Sequence, residues 1–364
     1  MVDAERRLLS GSGYEVATLD FQNPTSRSSS FSALVQGPWN FGAARRAVGE
    51  AERHEADVVH IHNTWFALSP AVVPALRRAG FPVVMTFHNY RLVCLNAMLY
   101  RDGQPCELCV GGSTLPGIRY RCYRDSLGAS TMASATIQFH RRRETWADGL
   151  SVAVVLTEFA KKRLLMGGLP DVRTVVKPNF VGDPGQRLEP PSKSTEVLFV
   201  GRLAPEKGIG RLVDVWQHAD LGGLKLEVIG SGPLAKALEG RVQTKVRLVG
   251  PVPSDQVRAK MLGARALVVP SLWYEVQPMV VLEGLAAGLP VFHTDLGALG
   301  ETSGAGGISL GSGDAAEMAV NLRKLKDDQL VDATGGAGRF EFESRFSEQA
   351  SLEEFDRIYR RALA

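Results

Sequence analysis

The sequence predicts an α/β protein built from two doubly wound domains, each a mainly parallel sheet with helices on its faces. Three observations carry that expectation. Short apolar runs alternate with helix-length amphipathic stretches along almost the whole chain, the pattern of successive strand–helix units. The 364 residues exceed what one hydrophobic core usually organises, since single cores stop growing near about 250–300 residues. Between the halves, the segment from Val181 to Ser194 is rich in Pro, Gly and polar residues, which marks a linker. The expected organisation is a first domain over 1–184, a second over 185–346, and a closing helix over 347–364 read from the amphipathic stretch Ser347–Ala362.

In the first half the strand candidates are Glu15–Asp20, Asp57–Ile61, Pro82–Phe87, Ser151–Leu156 and Arg173–Lys177. In the second half they are Val197–Val200, Lys225–Ile229, Val246–Gly250, Ala266–Val269 and Pro290–His293. Composition narrows the class further. A content of 45% hydrophobic and 22% charged residues is that of an ordinary globular protein, and a net charge of +3 gives no argument for nucleic acid as a partner. No apolar run approaches the roughly 18 residues that span a bilayer, and the first residues lack the apolar core of a signal peptide. The expected location is therefore the cytoplasm.

Two regions stand out by composition. All four cysteines, Cys94, Cys106, Cys109 and Cys122, lie within one stretch, inside an insertion over about 91–125 that is longer than an ordinary strand–helix loop. A reduced compartment disfavours a disulfide, which leaves four thiolates on a structural zinc or four free thiols in a compact loop. From Arg119 to Arg143 there are six arginines (119, 121, 124, 141, 142, 143), with Asp125 the only acid and Tyr120, Tyr123 and Phe139 interleaved. Such a surface suits an anionic membrane or a phosphorylated acceptor, and equally an ordinary solvated helix face.

Ligands of open parallel sheets bind beyond the C-terminal strand ends, so polar residues just after each run deserve weight. After Val200 come Gly201, Arg202, Lys207 and Gly208: a glycine that lets a ligand near the backbone, then two cations suited to a diphosphate. After Ala266–Pro270 comes a loop with Glu275, then a helix that Pro278 opens and Gly288 with Pro290 closes. Its first amides, at Met279 and Val280, offer a phosphate seat, and Glu283 follows about 7.5 Å along the axis.

These motifs resemble the retaining glycosyltransferases of family 4, enzymes of the GT-B fold, in which two Rossmann-like domains face a central cleft. The resemblance rests on Gly201-Arg202 with Lys207-Gly208, on Gly230-Ser231-Gly232, on the Glu-x7-Glu of Glu275 and Glu283, and on Gly288-Leu-Pro290 and Gly297 to Glu301. It continues in the first half through His60 and His62, Thr86-Phe-His88 and Lys177-Pro-Asn179, so it spans nearly the whole chain. It implies that Arg202 and Lys207 neutralise the donor diphosphate, that Glu283 holds the ribose and that Glu275 contacts the transferred sugar. It also implies that Gly250, Pro251 and Val252 line the base and that His88 reaches the sugar and reaction centre from the first domain.

The implied chemistry is retaining transfer from a UDP-, GDP- or dTDP-linked sugar to a glycan, lipid-linked or small-molecule acceptor, with no metal or other cofactor in the chemistry. The cysteine insertion, just after His88, would be a lid or acceptor-binding loop. Two features depart from the family pattern. The family's opening strand and Gly-rich turn are not matched, since Ala4–Ser10 resembles the helix that follows them; the expectation is a start downstream of the true one, or a sheet that compensates. Gly284 stands where alanine is usual and should weaken its helix slightly. Other readings of the same motifs are a nucleotide-sugar epimerase of this architecture and a non-catalytic binding subunit.

Overall fold

The computed structural model describes residues 1–22, 38–65, 67–242 and 244–364. The chain divides into two compact units: the first holds 1–99, 106–177 and 352–364, the second 100–105 and 178–351. The boundary falls at Lys177/Pro178 rather than at 184/185, because the start of the linker is already tied into the second unit. Asn179 donates its N–H to Gln277 Oε1 at 2.6 Å, and Val181 donates to Phe346 O at 3.0 Å. The closing helix forms over Glu348–Leu363, and its residues from Leu352 onward belong to the first unit.

The first unit is built on four parallel strands, β1 (Val59–Ile61), β2 (Val83–Phe87), β5 (Val152–Val155) and β6 (Thr174–Val176), in the order β1-β2-β5-β6. Every residue of β2 and β5 is buried, as expected for strands covered on both faces, which is why they read as unbroken apolar runs. Helices follow with side-chain caps where the sequence supplies them: Ser126 accepts from Ala129 N–H before Leu127–Arg142, and Thr157 from Ala160 N–H before Glu158–Leu165. The strand expected over Glu15–Asp20 does not form. No neighbour among the described residues pairs with it, and an alternating pattern without a ladder partner leaves its N–H and C=O groups to solvent. The short hairpin of β3 (Tyr100–Arg101) and β4 (Gln104–Pro105), unforeseen in the sequence, groups with the second unit.

The second unit carries six parallel strands: β7 (Glu196–Val200), β8 (Lys225–Ile229), β9 (Val246–Gly250), β10 (Ala266–Val269), β11 (Val291–His293) and β12 (Gly307–Ser309). Their order is β12-β11-β10-β7-β8-β9, so the winding reverses between β7 and β10. Side chains alternate between two cores, as a period of two requires. Val197, Phe199, Ala266 and Val268 join Trp216 and Leu212 on one face; Leu198, Leu267 and Val269 join Leu282 and Leu285 on the other. The Gly284 difference has a packing reason. A Cβ there would lie 2.8 Å from Leu267 Cδ2, so glycine lets the Met279–Ala286 helix settle on β10.

Candidate active site

The reversal between β7 and β10 leaves a crevice beyond their C-terminal ends, the usual ligand position in such sheets. Both loops that leave these strands carry residues singled out in the sequence. After β7 the chain turns through Gly201 and Arg202 into a short 3-10 segment, Pro205–Lys207, ended by Gly208 in the left-handed region at φ 70°. A Cβ on Gly208 would lie 1.9 Å from Pro270 O, so only glycine lets the β7 and β10 loops meet here. That approach brings Lys207 Nζ to 2.6 Å from Glu275 Oε1. Ser271 Oγ donates to the same oxygen at 2.8 Å, and Trp273 places its ring 5.3 Å below the ammonium. Glu275 is buried and Lys207 only partly so, which puts the cation on the solvent side of the pair.

Arg202 extends into solvent, 3.9 Å from Glu206. Its guanidinium and the Lys207 ammonium are the two cations of this loop. The Met279–Ala286 helix starts directly after Pro278 with Met279 and Val280 half-buried, and the N–H groups of its first turn have no acceptor within the helix. Glu283 faces Arg258; burial pushes its carboxyl above the ordinary value, and Arg258 opposes the shift. At the end of β9 a register shift sets Gly250 opposite Ile229, with Gly250 at φ 81°, and the chain leaves through Pro251 and Val252. The second unit thus has Gly201, Arg202, Lys207, Glu275 and Gly250 at one end of one sheet, with Val252 in the loop after β9 and Met279, Val280 and Glu283 on the helix that follows the Glu275 loop.

His88 follows β2 in the first unit, and around it the structure assembles a half-buried polar cluster. His88 Nε2 lies 3.1 Å from His62 Nδ1, and His62 Nε2 lies 3.1 Å from Glu5 Oε2. His60 contacts Tyr359 OH at 2.9 Å and Thr86 Oγ1 at 2.8 Å. Burial is the main cause of every shift here: it holds His62 near 3 and His88 near 4, lowers Lys177 to about 8 and pushes Glu5 up to about 7. His62 and His88 line a pocket with Asn89, Trp65, Arg91 and Trp146. Arg91 lies over the rings of Trp65 and Tyr123 and donates to Leu95 O.

Of these, Glu5 and Tyr359 carried no signal in the sequence, and each reaches the histidine cluster through tertiary packing from a remote position. Lys177 stood in the motif Lys177-Pro-Asn179, and Ser271 and Arg91 lie close in sequence to Glu275 and His88.

The four cysteines share one insertion, but no three of their sulphurs lie within 4.8 Å of one another. Cys94 Sγ donates to Asn96 Oδ1 at 2.9 Å. Burial raises both Cys94 and Cys109; backbone N–H groups of residues 96–99 counter it at Cys94, while the proximity of Cys94 and Cys106 adds to it at Cys109. The donor set is chemically that of zinc, yet no three of the thiols stand at ligand spacing.

The sequence pattern of the family described as "Glycosyl transferases group 1" matches residues 194–328, and that of the "Glycosyl transferase 4-like domain" matches residues 4–179. The chain belongs to the group 1 glycosyltransferases. Among curated relatives, it is 30% identical over 168 residues to the uncharacterized glycosyltransferase MJ1178 of Methanocaldococcus jannaschii, covering 44% of this chain and 47% of that protein. It is 30% identical over 160 residues to the 2-deoxystreptamine N-acetyl-D-glucosaminyltransferase of Niallia circulans, covering 41% of each. The matched stretch is therefore less than half the length of these relatives. The sucrose-phosphate synthase of Thermosynechococcus elongatus superposes with a TM-score of 0.68 at 19% identity, over 98% of this chain and 92% of that one. HepE of Anabaena, solved with UDP, superposes with a TM-score of 0.64 at 17% identity, over 87% and 82%. The fold of this glycosyltransferase family member is GT-B.

Proposed function

We propose that this chain transfers a sugar from a nucleotide-sugar donor to a hydroxyl of a glycan, lipid-linked or small-molecule acceptor, with retention of anomeric configuration. One observation carries the reading: Lys207 and Glu275 meet at 2.6 Å where the winding of the second sheet reverses. A diphosphate seated there meets the cations of Lys207 and Arg202 and the amides of Met279 and Val280. Glu283 is assigned to the ribose, Gly250 and Val252 to the base, Glu275 to the transferred sugar, and His88 to the sugar and reaction centre. Fixed cations and helix amides stabilise the charge that grows on the departing diphosphate, so the scheme asks no metal of the chemistry.

Two further parts of the proposal concern the first unit. The cysteine insertion binds one structural zinc, which would draw the four thiols together and stiffen a loop without a core of its own. The same insertion exposes Leu108, Leu115 and Tyr120, with Leu127 just beyond it, beside Arg119, Arg121 and Arg124, a surface suited to peripheral contact with an anionic membrane from the cytoplasmic side. No helix among the described residues is long and apolar enough to cross a membrane.

The test is donor turnover. The purified chain is incubated with UDP-glucose, UDP-N-acetylglucosamine, GDP-mannose and dTDP-glucose, and products are separated by anion exchange. Slow release of a nucleoside diphosphate and free sugar from one of them supports the transferase. An altered sugar still attached to its nucleotide points to an epimerase, and binding without any conversion to a non-catalytic subunit; either outcome refutes the reading.

A further inference from the structure

The pocket beside His88 holds a positive charge for which the first unit supplies no carboxylate. β2 hands the chain to Arg91 through a turn in which Asn89 Oδ1 accepts the Arg91 N–H at 3.0 Å. Buried Tyr90 accepts at its carbonyl from the N–H groups of Val93 and Cys94, at 3.0 and 2.9 Å. The backbone of Arg91 is thereby fixed, and its side chain lies against two aromatic rings. The guanidinium stands 4.9 Å from the ring centre of Trp65 and 5.2 Å from that of Tyr123. Nη1 donates to Leu95 O, whereas Nε is shut off from solvent and meets no acceptor.

Burial lowers Arg91 to about 10, so it remains a cation at neutral pH. After burial, the groups that bear on its charge are Tyr123, Cys94 and the like-charged Arg124; none is a carboxylate. Arg265 shows the contrast. Buried in the second unit, it donates to the carbonyls of Leu325, Ser192 and Ser194 and pairs with Asp328. A guanidinium withdrawn from water ordinarily has such a partner, because desolvation without one is costly.

The rest of the pocket does not supply the missing charge. Among the described residues, no Asp, Glu or Lys lines it. Its histidines stay neutral, since burial holds His62 near 3 and both His88 and His140 near 4. One fixed cation therefore stands in a pocket walled by Trp65, Trp146 and neutral imidazoles. Aromatic walls suit the apolar face of a sugar ring, and a guanidinium suits a planar oxyanion. The charge count selects among oxyanions. A carboxylate carries the single charge that Arg91 cancels, whereas a phosphate monoester, with about −1.5 to −2 at neutral pH, leaves a surplus that no second lining cation meets.

On the reading of the chain as a glycosyltransferase, we propose that this pocket is an acceptor subsite for a sugar bearing a carboxylate, a hexuronic acid residue whose carboxylate pairs with Arg91. The acceptor is then an acidic glycan or glycoside. A neutral hexose in the same place leaves the guanidinium buried and unpaired, so the pocket selects against it. Arg91 binds the acceptor and takes no part in the bond changes.

Two measurements on the full chain test the subsite. In protein labelled with 15N-arginine, with the Arg91 Nε–H resonance assigned from Arg91→Gln, methyl glucuronide or methyl galacturonide should shift that resonance, and the corresponding methyl hexosides should not. Equal shifts from a uronide and its neutral hexoside, or no shift from either uronide, overturns the subsite. With the sugar nucleotide that turns over, kcat/KM for the preferred uronide should exceed that for its neutral hexoside about thirtyfold, the effect of one charge-assisted contact. Arg91→Gln should use the two acceptors alike, and Arg91→Lys, which keeps the charge, should restore part of the preference. A wild-type chain that uses uronide and hexoside equally, or prefers the hexoside 6-phosphate, overturns the subsite even where Arg91→Gln fails to fold. Should the uronide bind at Arg91 while no sugar nucleotide turns over, the transferase reading fails and the carboxylate site stands. Should neutral acceptors be glycosylated as well as uronides, the subsite fails and the transferase reading stands.

Discussion

Lowering the pH from 7.5 to 5.5 should unfold the first unit well before the second. Four histidines of the first unit, His60, His62, His88 and His140, are kept neutral by burial, with His62 near 3 and both His88 and His140 near 4. Their folded values lie below the unfolded value of about 6.5, so the unfolded chain binds more protons as the pH falls. Stability is then lost below about pH 6.5, and each histidine costs about 1.4 kcal/mol by pH 5.5. Glu5 works in the opposite sense. Its folded value of about 7 exceeds the ordinary carboxylate value of 4.5, so the folded state takes up its proton first and regains about 2 kcal/mol over the same window.

The net loss is about 4 kcal/mol, a large part of the roughly 5–15 kcal/mol that holds a domain folded. Of the second unit's histidines only His293 is depressed, by burial, so its loss over the same window should be at most about 1.4 kcal/mol. Urea titrations at pH 7.5, 6.5 and 5.5, read by hydrogen–deuterium exchange of peptides from each unit, measure both. Glu5→Gln removes the opposing group and should steepen the first unit's loss to about 5 kcal/mol. A first-unit midpoint that stays level down to pH 5.5 would show that these histidines are not held neutral.

Lys207→Ala should lower donor turnover about a hundredfold, since one fixed charge facing a leaving diphosphate supplies about 3 kcal/mol of transition-state stabilisation; steady-state kinetics with the accepted donor settles it, and wild-type turnover removes Lys207 from the site. Glu283→Gln should raise the donor KM about tenfold with kcat preserved, the effect of one weakened hydrogen bond of about 1.4 kcal/mol, and a changed kcat with constant KM contradicts its assignment to the ribose. Elemental analysis of protein purified without added zinc should find about one zinc per chain, lost together in Cys106→Ser and Cys109→Ser; negligible zinc in the wild type disposes of the metal.

The second unit was largely legible because five of its six strands are short apolar runs, three of which, β7, β8 and β9, reach a glycine at their ends, while β12 carried no such signal. Nine of the ten strand candidates form, and those over Val197–Val200, Lys225–Ile229 and Val246–Gly250 hold their places almost to the residue. Glu15–Asp20 shows the limit: alternation records which face is apolar, not whether a neighbouring strand exists to complete the ladder. Lys207 and Glu275 were legible because both belong to loops at strand ends. Glu5 was not, since a glutamate in an amphipathic helix looks like any solvated acid until packing buries it against His62. The thiols illustrate a third case. Spacing alone put four cysteines in one loop, but the conformation of residues 94–99 determines where Cys94 points.

The glycines of the second unit show why the crevice has the shape it has. Gly201 N–H donates to Ile229 O at 3.0 Å and Gly230 N–H donates to Gly250 O at 2.9 Å, so the ends of β7, β8 and β9 are stitched in series. Gly230 has φ 138°, and a Cβ there would lie 1.9 Å from Gly201 O. Both sides of that contact are backbone, so no rotamer change relieves it. Gly230→Ala must part β7 from β8 by more than an ångström and shift Arg202, the next residue beyond Gly201. Overpacking of this kind costs about 3 kcal/mol, which in a unit of this size lowers Tm by about 10 °C. A misplacement of about 1 Å at a catalytic cation costs about a hundredfold in rate. Gly240→Ala is the matched control, because nothing lies within 4 Å of its Cβ and its φ is negative. Gly230→Ala should lose donor turnover at temperatures where the chain is still folded, while Gly240→Ala keeps it. Equal turnover in the two variants would mean that the seam between β7 and β8 does not set the position of the diphosphate.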